Sequence, residues 1–340
     1  MKRGQNMKKI KRLLAALLAA AMLFSLAACG DETNGETTTA EESTTDYVRS
    51  VKTKVAALNG PTGLGLAKLA ADRTYAYEVE YFSDPQEIVP LLTKGEVDIA
   101  ALPVNLAANL YQKTNGGIQI LSVNTLGVLY CLQKGDSIKS FDDLKGKTIY
   151  ATGQGSTPEY IINYVLSEKG IVPGKDVTIE YKTAHNELAT LAIEGKVDLC
   201  ILPEPFATKV LASNEEYKRL IDFTKSWGEV NEARLVQGVI VARTDYIKEN
   251  PDIIKEFMGF NEVSVNYLSA NLENASVFLA ENGYFDTTEL AYATLPGCNI
   301  VFMEGEEMKT AVKAMFEVLY AADPSSVGGA IPDDGIYYGA

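Results

Sequence analysis

The feature that most limits how this chain can fold is an internal repeat. The segment Leu91-Leu-Thr-Lys-Gly-Glu-Val-Asp-Ile-Ala-Ala-Leu-Pro103 aligns without gaps with Leu191-Ala-Ile-Glu-Gly-Lys-Val-Asp-Leu-Cys-Ile-Leu-Pro203, one hundred residues further on. Each copy reads as a helix end, a glycine stop, a buried strand and a proline that opens a new helix. Around each copy the same grammar recurs. Before the first lie a strand at Lys54–Leu58, a turn at 59–63 leading into a helix through about Ala71, a strand at Tyr75–Phe82 and a helix from Asp84-Pro85 to Gly95. Before the second lie a strand at Lys147–Ala151, a helix at Thr157–Lys169, a strand at Val177–Tyr181 and a helix at His185–Glu194. Strands alternating with helices predict an α/β fold with largely parallel sheets. The duplication predicts two similar lobes, 51–130 with 236–340 and 131–235, joined by Leu126–Lys134 outward and Leu235–Arg243 on return. Two crossings make a hinge with a cleft between the lobes.

The first thirty residues carry a different signal. Lys2, Arg3, Lys8, Lys9, Lys11 and Arg12 precede an apolar run from Leu13 to Leu26, which ends in Ala27-Ala28-Cys29-Gly30. That run is shorter than the roughly 20 residues that span a bilayer, and it suits a secretory signal, expected over 1–28. Leu26-Ala27-Ala28-Cys29 resembles a lipobox, which makes Cys29 the expected site of lipidation. The stretch Gly30–Asp46 holds six Thr and six acidic residues with no Lys or Arg. It buries too little to fold, so 29–50 is expected to be a solvated tether. The protein is then held on the outer face of the cell membrane by lipid.

Charge narrows the partners. The chain has 31 basic and 45 acidic residues, and removal of the six basic residues of the start leaves 25 against 45, a net charge of −20. Such acidity argues against nucleic acid as a partner. Past the tether no segment is long and apolar enough to span a membrane. With Cys29 lipidated, Cys131, Cys200 and Cys298 remain, an odd set that excludes a full disulfide framework. Cys131 and Cys200 lie in apolar strand-like runs and are expected to be buried free thiols.

Several of these pieces together resemble a known family. The lipobox, Leu58-Asn-Gly-Pro-Thr-Gly63, Lys94-Gly-Glu-Val-Asp-Ile-Ala-Ala-Leu-Pro103, Asp143-Leu-Lys-Gly-Lys147 leading into Thr152-Gly-Gln-Gly-Ser-Thr157, Gly195–Pro205 and Asn250-Pro-Asp-Ile-Ile-Lys-Glu-Phe257 are similar to type II solute-binding proteins of ABC importers. The nearest branch handles nitrate, sulfonates, taurine and thiamine-pyrimidine precursors, often described as SsuA/THI5-like. The resemblance covers roughly 51–320. It implies a two-lobed periplasmic-binding fold, a small-molecule solute that is sulfonate-, nitrate- or pyrimidine-like, ABC permease subunits as partners, action as a monomer, and neither enzyme activity nor cofactor. An enzyme on the same scaffold, like those of menaquinone or pyrimidine synthesis, and a ligand-presenting partner of a sensor remain the alternatives.

In open α/β sheets ligands sit beyond the carboxyl ends of strands, where helix N-termini offer unpaired N–H groups. Four corners qualify. The first is Asn59, Gly60, Pro61, Thr62 and Gly63, and the second is Pro103 to Asn105. The third is Gln154, Gly155, Ser156 and Thr157, and the fourth Pro203, Glu204 and Pro205. Ser, Thr and Asn at helix starts also serve as plain caps. Glu204 would repel an anion unless it turns away or meets a cation, and could accept hydrogen bonds from an amine or aminopyrimidine. Asp98 and Asp198, matched in the repeat, suggest a structural role. His185 is the only histidine, so no His-based metal cluster or relay triad can be built, and no metal or catalytic residue is expected. Phe206 is expected to pack at the base of its helix; Trp227 and Tyr246 could stack on a ring, but a plain core or exposed position is the default for both.

Overall fold

The helix-stop glycines of the repeat occupy matching places in two matching halves. The structure, a computed structural model, describes residues 52–72 and 76–339. The signal, Cys29 and the tether lie outside the described residues. Among the described residues the strands are β1 (Thr53–Leu58), β2 (Tyr77–Phe82), β3 (Ile99–Pro103), β4 (Ile118–Leu126), β5 (Leu129–Lys134), β6 (Thr148–Thr152), β7 (Thr178–Lys182), β8 (Leu199–Pro203), β9 (Tyr217–Asp222), β10 (Val236–Arg243) and β11 (Ile300–Met303). One sheet has the order β11-β4-β10-β3-β1-β2 and the other β7-β6-β8-β5-β9. Apart from the edge strand β11 the two orders are the same, with β1, β2 and β3 matched by β6, β7 and β8. The α/β, two-lobed reading holds.

The sheets are mixed rather than largely parallel, which corrects one expectation. β1 pairs in parallel with β2 and β3, as β6 does with β7 and β8. β10 and β5 run antiparallel to both of their neighbours. Each enters its sheet from the other lobe and so arrives pointing the opposite way. The outward crossing is confined to Gly127 and Val128, between β4 and β5. The return passes through the helix Phe223–Gly228 before β10.

The repeat also explains why its glycines are there. Gly95 and Gly195 end their helices at φ 71° and 70°, a left-handed conformation that glycine takes without steric cost. A cation closes over each: a Cβ on Gly95 would lie 2.8 Å from Arg243 Nη1, and one on Gly195 2.9 Å from Lys134 Nζ. Arg243 and Lys134 end the two antiparallel strands. Asp98 accepts from the Lys54 backbone N–H and from Arg243 Nη2, at 3.0 and 3.2 Å, which fits its structural reading.

Other local differences have simple causes. The helix expected through Ala71 is broken into Pro61–Leu64 and Ala67–Ala71, with Gly65 at the break. Pro103 ends its strand and caps the helix that starts at Val104, as expected, whereas after Pro203 the helix starts only at Phe206, with Pro205 at its cap. The Glu204–Pro205 bond is cis. Trp227 is fully buried between the lobes' hinge elements, a core aromatic as the default reading has it. Leu126, Leu129, Trp227 and Leu235 join one apolar interior that runs through both lobes. Cys131, Cys200 and Cys298 are free and buried.

Candidate functional site

All four corners stand at the carboxyl ends of parallel strands, but they meet in two different ways. At the first, β1 turns through Asn59 and Gly60 (φ 90°) into the single-turn helix Pro61–Leu64. Asn124 Nδ2 donates to Thr62 O at 2.5 Å, and Thr125 Oγ1 donates to Pro61 O at 3.3 Å, so β4 fixes the turn. The Thr62 side chain lies against Gly238, whose Cβ would approach Thr62 Cγ2 to 2.9 Å. A Cβ on Gly63 would lie 2.0 Å from the carbonyl oxygen of Leu58. Backbone cannot yield as a side chain does, so Gly63→Ala is expected to cost about 3 kcal/mol of stability in urea unfolding. A loss below about 1 kcal/mol would show that this turn can spread.

The second and third corners touch. Thr157 Oγ1 donates to Asn105 Oδ1 at 2.8 Å, bridging the lobes. Ser156 Oγ donates to Gly153 O at 2.6 Å, which stabilises the turn before the helix Thr157–Glu168. The Gly155 N–H donates to Glu159 Oε2 at 2.6 Å. Gln154 and Gly155 are exposed. Farther along the same face Tyr160 Oη donates to Asp323 Oδ2 at 3.2 Å.

The fourth corner faces the first across a cavity of about 530 Å³. Asn59, Gly60, Pro61, Leu64 and Tyr81 form one side, Pro205 and Phe206 the other, and Asn282, Gly283, Tyr284, Phe285 and Cys298 complete it. A cavity of this size, apolar with a few polar groups, suits a small molecule. Tyr81 and Tyr284 meet edge to face, with ring centres 5.4 Å apart at 72°. Tyr284 Oη donates to Tyr81 Oη at 3.1 Å, and Tyr81 Oη donates to Gly63 O at 3.4 Å. Burial pushes both phenols up, so both stay protonated near neutral pH. Phe206, expected to serve packing alone, lines the cavity while its ring lies 5.3 Å from that of His185. His185 Nδ1 is 2.7 Å from Thr152 Oγ1, and burial lowers its pKa, so the ring is neutral.

Glu204 does not line the cavity. Its side chain is 0% exposed and accepts from Thr208 N at 3.0 Å, from Thr208 Oγ1 at 2.9 Å and from Arg219. The Arg219 guanidinium stacks on Tyr130 at 4.1 Å, and Tyr130 Oη donates to Gly297 O of the other lobe at 3.0 Å. Burial raises the Glu204 carboxyl above the usual carboxylate range, and Arg219 and Thr208 oppose that rise.

The cavity therefore brings together Asn59, Gly60, Pro61 and Pro205 from the sequence-derived set, while Thr62 and Gly63 stand behind the first corner. Tyr81, Asn282, Tyr284, Phe285 and Cys298 escaped the sequence reading. The helix-ending motif Asn282-Gly283 followed by two aromatics was the one available signal, and nothing in it indicated a position beside Tyr81, about two hundred residues earlier. Gln237 was missed as well. It lies at the cleft end of β10, and its buried Oε1 has no hydrogen-bond partner among the described residues. Among the described residues no cluster of three or more His, Cys, Asp or Glu side chains is placed to hold a metal, and no helix is long and apolar enough to cross a membrane.

Solved structures share this architecture. An ABC transporter protein from Parabacteroides distasonis superposes with a TM-score of 0.72 at 24% identity, over 85% of this chain and 99% of the other. The periplasmic aliphatic sulphonate binding protein SsuA of Escherichia coli gives 0.66 at 16%, over 83% and 92%. A Candida albicans protein described as having the generic periplasmic binding protein fold gives 0.53 at 18%, over 84% and 93%. At these identities the likeness establishes the fold. No curated protein matches the chain in sequence. The model of the family described as NMT1/THI5 like matches residues 78–275, more than half of the sequence, and the chain belongs to that family.

Proposed function

We propose that the protein captures a small solute between its two lobes and delivers it to the permease of an ABC importer. The observation that carries this reading is the cavity at the first and fourth corners, whose walls come from both sheets. Among the described residues two chain crossings join the lobes, and Thr157–Asn105, Tyr160–Asp323 and the ion pair of Lys209 with Asp286 at 3.3 Å reach across between them. A solute touching both walls stabilises the arrangement in which these contacts form. The sequence-derived lobes 51–130 with 236–340 and 131–235, with Leu129 and Tyr130 counted in the second because β5 belongs to its sheet, are the moving parts. Asn59 to Gly63, Asn105, Gln154 to Thr157, Glu204 and Pro205 are the sequence-derived site, with roles divided between cavity wall and lobe contact. Lipid on Cys29, after removal of 1–28, holds a monomer at the outer face of the cell membrane. No step of this reading is chemical, so it assigns no catalytic residue and no cofactor.

The test is retention. Mature protein is unfolded and refolded to strip it, exposed to spent growth medium, re-isolated and examined by mass spectrometry for small molecules released on unfolding. One solute near equimolar amount supports capture; protein that retains nothing refutes it. A Cys29→Ala variant is expected to leave the membrane fraction, and unchanged fractionation would remove the anchor. The joint change Ser156→Ala and Thr157→Ala deletes the bridge to Asn105. A neutral hydrogen bond is worth about 1 kcal/mol, so affinity should fall roughly fivefold with the fold retained. Unchanged affinity in a titration would take that corner out of the binding event.

A further inference from the structure

We infer that the solute taken by this cavity is an uncharged, ring-bearing molecule that donates hydrogen bonds, and not an oxyanion such as the sulphonate of the Escherichia coli neighbour. The inference rests on the capture reading and sharpens it.

The walls come first. Tyr81, Tyr284, Phe206 and Phe285 all line the cavity. The hydrogen bonds from Tyr284 to Tyr81 and from Tyr81 to Gly63 O hold two of these rings in fixed planes. Fixed aromatic planes favour a planar partner, which gains offset or edge contacts without ordering the wall. The cavity, about 530 Å³, admits a molecule of one or two rings.

The polar groups come second. Asn59 Nδ2 donates to Ser83 Oγ at 3.1 Å, and Asn282 Nδ2 donates to Phe278 O at 2.8 Å. Those bonds set the sense of each amide. No group among the described residues donates to either amide oxygen, so both are acceptors for an N–H or O–H of the solute.

Charge comes third. Among the described residues no Lys, Arg, Asp or Glu lines the cavity. Two of the four helix beginnings at the strand ends have been taken by the protein's own carboxylates. Glu159 accepts from Gly155 N before the helix Thr157–Glu168, and Glu204 accepts from Thr208 N within the helix Phe206–Ser213. The charge of Arg219 is matched by Glu204, and that of Lys209 by Asp286. An entering oxyanion would lose its hydration and find no cation on the cavity wall, and at the third and fourth corners helix starts already bonded to carboxylates. An uncharged ring loses far less water and gains the aromatic walls.

The test uses two panels on stripped, full-length mature protein, read by melting temperature and confirmed by calorimetric titration. One panel is cytosine, thymine, nicotinamide and benzamide; the other is methanesulfonate, taurine, nitrate and bicarbonate. The expected result is a rise in melting temperature with ring compounds alone. Asn282→Ala, at an exposed position, should keep the fold and weaken the best ring compound about fivefold, and Tyr284→Ala about tenfold. A rise with oxyanions alone overturns the inference and leaves the capture reading intact. A rise with ring compounds that neither variant alters overturns it too, since the site would lie elsewhere. No response to either panel overturns the inference, and the retention experiment then decides the capture reading on its own.

Discussion

Replacement of Trp227 by alanine is expected to lower the free energy of unfolding by about 3–5 kcal/mol. The indole is completely buried and its ring centre lies 4.9 Å from that of Tyr164. Its Nε1 donates to Ala233 O at 2.8 Å, which ties the helix Phe223–Gly228 to the segment leading into β10. The same helix reaches the outward crossing, where Thr224 Oγ1 donates to Gly127 O at 2.8 Å; Asn299 Nδ2 donates to that same carbonyl at 2.5 Å. Trp227 thus fills the space between both crossings, and a cavity there removes packing from the hinge itself. Urea unfolding of the mature chain measures the loss. Trp227→Phe should recover part of it by refilling the volume. A cost below about 1 kcal/mol for alanine would show that the surrounding side chains collapse into the gap, and that the hinge does not depend on this residue.

The second large effect is expected at Arg219. Changing it to leucine leaves the Glu204 carboxylate buried with Thr208 as its only remaining partner among the described residues. Breaking a buried pair from one side costs about 3–5 kcal/mol, and the lower figure applies because the Arg219 side chain is 36% exposed. The pH dependence follows from the direction of the Glu204 shift. Burial raises its folded pKa above the unfolded value, so its favourable contribution is present below the unfolded pKa, near 4.3, and is lost as pH rises through the folded pKa. Removing Arg219 deletes the first opposing influence, raising the folded pKa further and widening that window. The variant's deficit relative to the parent should therefore be smallest in acid and full on the alkaline side. Glu204→Gln in the same background should remove most of it. A deficit that stays constant across this pH range would mean that Arg219 contributes by stacking on Tyr130 and not by its charge. Since Tyr130 also holds Gly297 of the other lobe, the Arg219 variant should bind solute more weakly than its stability loss alone explains.

The gapless match of 91–103 with 191–203 determined much of the architecture, because hydrophobic period, glycine stops and prolines act locally and leave their mark in short windows. It placed strands β3 and β8, the helices before them and the duplicated α/β order. The Thr157 and Asn59 corners could be picked out for the same reason, since strand ends and helix starts are local events. What sequence could not supply was the direction of β5 and β10. That depends on which lobe each strand enters from, a property of the whole path of the chain. Nor could it separate Glu204 from Asn59 as candidates: both stand at strand ends, yet Arg219 and Thr208 enclose the first, while the second stays at the cavity.

The sequence by itself thus determined two similar α/β halves with helix starts facing a common cleft, through patterns set by backbone geometry over a few residues. Only the tertiary structure decided what fills that cleft. Tyr81 and Tyr284 meet there, and Glu159 and Glu204 claim helix N–H groups near it, because folding brings distant segments within contact distance, and contact rather than sequence spacing fixes charge and shape.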